Sequence, residues 1–89
     1  MTKAEKEALK NGFISQWYHA AMLMKDVQAG KKDLLPAAQN AIDRAIGAKY
    51  LAEDILKANP DYEGPDVWVM IRDWAFEAEA KAGFSLHRF

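Results

Sequence analysis

Pro65–Gly83, PDVWVMIRDWAFEAEAKAG, is the stretch whose reading decides the fold. Pro65 or Asp66 opens a helix here, and Gly83 closes it. Val67, Met70, Ile71, Trp74 and Ala78 recur at three- and four-residue spacing and form one apolar stripe. Trp68 and Ala75 lie on its flank. Val69, Phe76 and Ala80 fall on the opposite side. An apolar stripe must be buried against another element. The rest of the chain is therefore expected to cover the stripe and to leave the second face unclaimed, unless the tail folds over it.

Upstream, Asn59–Pro65 is a loop by composition, with two prolines, two acids and a glycine. The helix before it is expected to begin near Asp33, a candidate N-cap, with Pro36 tolerated in the first turn. Leu34, Ala38, Ala41, Ala45, Ala48, Ala52 and Ile55 alternate four-three along one line. Such an alanine seam lets a neighbouring backbone approach closely. Leu35, Ile42, Ile46 and Leu56 supply bulk beside it. Gly47 is the one position where this helix could break, which would make four helices in all.

Further upstream, Thr2 and Glu5 have the spacing of a capping box. Leu9, Phe13, Trp17, Ala20, Met24 and Val27 form a wide core stripe, and Gly30 is the stop. Ile14, Tyr18, Ala21 and Met22 occupy the flank. Met22 lies almost opposite the stripe and is the candidate in this helix for an exposed apolar contact. Gly12 marks either a close helix crossing or a weak point. Downstream of Gly83, Phe84 is placed for the contact that accompanies a glycine stop, and the tail continues through Leu86 to Phe89. No alternating pattern of a strand appears. The reading is an all-α, antiparallel three-helix bundle in a single domain, 1–89, with helices over about 3–29, 34–58 and 65–82 and a tail at 84–89.

Composition narrows the function classes. Eighty-nine residues hold one core. There are no cysteines, so disulfides, thiolate metal sites and cysteine nucleophiles are excluded. Met1–Lys10 lacks the apolar region of a signal peptide, and no run approaches a membrane span, so a cytoplasmic location is expected. The net charge of -1 argues against a dedicated nucleic-acid or membrane-surface protein. Lys3, Lys6, Lys10, Lys31 and Lys32 could touch phosphates, but the aromatics are spaced as core residues rather than as a stacking platform. Nucleic-acid binding is thus an accessory alternative. Acid gathers in Glu53, Asp54, Asp61, Glu63 and Asp66, which would be a solvated face or a patch that steers a basic partner.

Catalytic and metal patterns are weak. Ser15 and His19 stand one turn apart, yet no orienting acid or glycine-rich elbow accompanies them. The two histidines have no metal-ligand spacing. The loop from Asn59 faintly resembles a calcium loop, but Met70 stands where the bidentate glutamate belongs. No enzyme, cofactor or metal is therefore expected.

What remains is an aromatic surplus of three Trp, three Tyr and four Phe. Phe13, Trp17, Trp74 and Trp68 are assigned to the core. Phe76 and Tyr62 are not, and aromatic residues outside a core mark contact surfaces. The expected partner surface comprises Val69, Phe76, Asp73 and Glu77 on the last helix, Asp61, Tyr62 and Glu63 in the loop, and Met22. The function expected is a small protein-binding module that docks on a larger protein and modulates or inhibits it. Phage or mobile-element inhibitors of host defence systems have this general character. The alternative is a homodimer with a structural or regulatory role.

Overall fold

The computed structural model describes residues 1–59 and 66–86. It contains three helices: α1 (Lys3–Gln28), α2 (Leu35–Ala58) and α3 (Val67–Ala82), with a 3-10 turn at Lys32–Leu34. No strand occurs among the described residues. Each helix packs against the other two, which makes an all-α three-helix bundle. The interface between α2 and α3 is much the smallest, so α1 is the shared wall.

The start of α1 is built as its sequence demands. Thr2 Oγ1 accepts from the Glu5 amide, and Glu5 Oε1 accepts from the Thr2 amide, both at 3.1 Å. Hydrogen bonding of the Glu5 carboxylate to Thr2, from the backbone amide first and the side chain second, lowers the pKa of the Glu5 carboxyl. At the far end Gly30 adopts φ 115, and the 3-10 turn leads straight into α2. Asp33 therefore lies inside that turn instead of capping α2, whose N-cap Leu34 makes no side-chain bond. Pro36 sits in the first turn of α2, where its missing N–H has no helical partner.

Helix α2 is continuous through Gly47, so the four-helix alternative is overturned. A single glycine weakens a helix by only about 1 kcal/mol, which packing on α1 overrides. Neither Gly12 nor Gly47 marks a close crossing, because a Cβ at either would meet nothing within 4 Å. The close approach is made by Ala38, Ala41, Ala45 and Ala52, all buried.

The core is aromatic at its centre. Phe13 stacks on Trp17 with ring centroids 5.5 Å apart, and meets Trp74 at 6.1 Å and 53°. Such pairs add about 0.5–1.5 kcal/mol beyond area burial. Trp17, Leu56 and Ile71 are fully enclosed, and the whole stripe from Val67 to Ala78 is buried as expected. Met22 departs from expectation: it is partly buried and packs against the core. Helix α1 has neighbours on two sides, and a long unbranched side chain reaches the edge they share.

The contacts Phe13–Trp74, Trp17–Glu79 and Lys25–Ala82 rise together along both helices, so α3 runs alongside α1 in the same direction. The Met1 amine lies 3.4 Å from Asn59 Oδ1, which puts the end of α2 beside the start of α1.

Candidate functional site

The outer face of α3 carries the arrangement that the bundle does not use. Asp66 caps the helix, its side chain accepting from the Trp68 amide at 2.9 Å. From that cap, Trp68, Arg72 and Phe76 follow at four-residue steps and share one ridge. The Arg72 guanidinium lies over both rings, 5.2 Å from the Trp68 centroid and 5.8 Å from that of Phe76. Both rings remain open to solvent, Trp68 at 44% and Phe76 at 49% of full exposure. Trp68 was expected in the core. It is outside because α2 covers little of α3, which leaves this flank half open.

Arg72 is the polar centre of the ridge. Its Nε is closed off from solvent and has no acceptor among the described residues. One Nη lies 3.5 Å from Asp73 Oδ1, at the outer limit of a hydrogen bond. The rings attract the guanidinium by cation–π interaction, worth about 0.5–1 kcal/mol each at exposed sites. A cation held this way is ordered before any partner arrives. The signal was present in the sequence as Trp-x-x-x-Arg-x-x-x-Phe, but assigning Trp68 to the core concealed it.

The other expected site residues separate. Asp73 is exposed beside Arg72, and Val69 is half-buried next to the ridge. Glu77 is exposed but turns to α1, its carboxylate 3.8 Å from Lys10 Nζ. Met22 belongs to the edge of the core. Asp61, Tyr62 and Glu63 lie outside the described residues. The described part of the tail does not cover Phe76. It turns instead onto Glu79, and Leu86 is buried there.

Glu79 was not foreseen as a special residue. It is the buried acid of α3, and its carboxylate accepts from Trp17 Nε1 at 2.9 Å, Ser85 Oγ at 3.0 Å and the Leu86 amide at 3.2 Å. Its carbonyl accepts from the Gly83 and Phe84 amides. Gly83 adopts φ 70, and an added Cβ there would also come 3.2 Å from Lys25 Nζ, which donates to Ala82 O. This polar knot ties α1, α3 and the tail together. All the donors meet acceptors inside the fold, so it reads as structure rather than as a site. A lone glutamate within the run of buried Ala75, Ala78 and Ala82 was its visible signal.

Concave places also occur among the described residues. A cleft of about 410 Å³ lies at the end of the bundle among Met24, Gln28, Ile42 and the tail. An apolar groove of about 250 Å³ lies between α1 and α2, lined by Leu9, Gly12, Phe13, Ala48 and Leu51, with Leu51 itself 60% exposed. Ser15 and His19 are exposed on α1. Among the described residues no group of three or more His, Asp or Glu is placed to hold a metal ion. Among the described residues no helix is long and apolar enough to cross a membrane.

No protein-family model matches the chain, and no curated protein or solved structure matches it significantly.

Proposed function

We propose that this chain acts by docking rather than by catalysis, binding a larger protein through the outer face of α3 and so modulating or inhibiting it. One observation carries the reading: Arg72 held between two exposed aromatic rings on a helix face that neither α1 nor α2 occupies. Tryptophan and arginine dominate the binding energy of many interfaces, and rigid side chains lose little entropy on contact. Surface aromatics contribute little to the stability of the free bundle, so a contact role gives them a physical purpose.

The test compares the wild-type chain with Phe76→Lys, each immobilised and exposed to extract of the native cell. Captured proteins are quantified by mass spectrometry. A partner that is retained by wild type and lost with a folded Phe76→Lys supports the reading. Identical captured sets from the two chains overturn it.

A second reading, a homodimer, draws on exposed Leu51 beside the apolar groove between α1 and α2. Light scattering at two concentrations decides it, since a strict monomer removes that option.

A further inference from the structure

We infer that the side of the bundle formed by α1 and α2 is a self-association face, on which a second copy of this chain lies antiparallel about a two-fold axis at Gly12. The inference rests on the homodimer reading above and gives that dimer its surface and register. The two glycines inside helices point to this side. Gly12 and Gly47 stand where glycine lowers helix stability relative to alanine. Both are exposed, and a Cβ at either would meet nothing within 4 Å, so the bundle itself does not require them. Gly12, Ala48 and Leu51 line one apolar groove, and Gly47 lies one turn from Leu51. Leu51 is the most exposed large apolar side chain among the described residues, at 60%, and Ile55 one turn further along α2 is exposed as well. Glycine lets a neighbouring backbone come close. An exposed leucine beside such gaps is a knob whose hole lies on another molecule.

Charge on this side selects the occupant. On α1, exposed Glu5 and His19 stand at equal distances along the chain from Gly12. On α2, exposed Arg44 precedes Gly47 and exposed Asp54 follows Leu51 at the same spacing. Among the described residues neither Arg44 nor Asp54 is in an ion pair. The centres of the two patterns lie at one level, because Gly12 and Leu51 line the same groove. Reversing the face about that level exchanges Arg44 with Asp54, Gly47 with Leu51, and Glu5 with His19. A second copy laid antiparallel therefore brings each Arg44 to an Asp54, each Glu5 to a His19, and each Leu51 over a Gly47 at the mouth of the groove. An unrelated partner would match this pattern only by coincidence, whereas a second copy matches it by symmetry, twice over. The bundle measures 46 × 22 × 20 Å, so one side is long enough for the about 800 Å² that each partner buries in a standard interface. Lys10, on the opposite side of α1, meets Glu77 of α3, so α3 stays out of this contact.

The experiment measures self-association of the full-length chain by sedimentation at several concentrations, for wild type, Arg44→Glu, Asp54→Arg and the double variant. All replace exposed residues, and circular dichroism checks that each variant is folded. Wild type is expected to dimerise. Each single reversal sets like charges together twice and should weaken association at least about tenfold. The double variant restores opposite signs across the contact and should recover the wild-type association. The chain has no cysteine, so engineered thiols report the register cleanly. Gly12→Cys sits at the axis and should give a disulfide-linked dimer on mild oxidation, while Lys57→Cys, far from the axis, should not. A strict monomer at every concentration removes the homodimer reading and this inference with it. A dimer that ignores the charge reversals, or that links through Lys57→Cys and not Gly12→Cys, overturns this face and leaves the homodimer reading standing. Single reversals that weaken a dimer which the double variant does not restore overturn the antiparallel register.

Discussion

Trp17 and Trp68 make opposite uses of a charged residue on α3. Trp17 is fully enclosed, and its indole N–H meets the buried carboxylate of Glu79. Trp68 is open, and its ring face meets the guanidinium of Arg72. The first pair joins two helices and the tail; the second joins neighbouring turns of one helix. Burial makes the difference. An unpaired carboxylate in the core is expensive, so Glu79 must have its donors, and losing any of them is felt throughout the fold. The Arg72 side chain is partly open to water, so its stacking adds little to stability. What the second pair stores is order at the surface, where only a partner can use it.

The contrast can be broken most sharply at Glu79. Glu79→Ala leaves the Trp17 indole and the Leu86 amide without their acceptor, at about 1–3 kcal/mol for each buried donor. A loss of about 4 kcal/mol in urea unfolding is expected, together with release of Leu86. A loss below about 1 kcal/mol would mean that water replaces the carboxylate, and the knot would not be a structural anchor.

A matched pair tests the two tryptophans directly. Trp17→Phe keeps a ring but removes the buried donor, and should lower stability by about 2 kcal/mol. Trp68→Phe keeps a ring face for Arg72 and should change stability by less than about 0.5 kcal/mol. Equal effects would erase the distinction between the faces. The smallest effect is expected for Lys10→Ala. Its pair with Glu77 is partly exposed, so thermal or urea unfolding should shift by less than about 0.5 kcal/mol. A larger shift would make Glu77 part of the α1–α3 seam and narrow the outer face.

Much of the fold was legible because its determinants are local. The capping box at Thr2–Glu5, the proline in the first turn of α2 and the left-handed Gly83 depend on residues within one turn. The stripe from Val67 to Ala78 follows from helical periodicity alone. Gly47 was a possible break because the propensity of one residue is visible in sequence, while the packing of Ala45 and Ala52 against α1 is not. Phe76 was correctly placed outside, since it stands opposite the stripe. Trp68 was misplaced because it lies on the flank of that stripe, where the reach of a neighbouring helix decides exposure, and Met22 because α1 has neighbours on two sides, so a residue almost opposite its main stripe still packs against the core.

The sequence by itself determined three helices, their caps and the one apolar stripe of α3 that the others must cover. Those features follow from backbone hydrogen bonding and the 3.6-residue period, which act over a few residues. Only the tertiary structure decided that α1 is the shared wall, that α2 covers little of α3, and that Glu79 is enclosed while Arg72 stands between two half-exposed rings. Those outcomes depend on which helix lies beside which across tens of residues of chain, and no local pattern encodes that geometry.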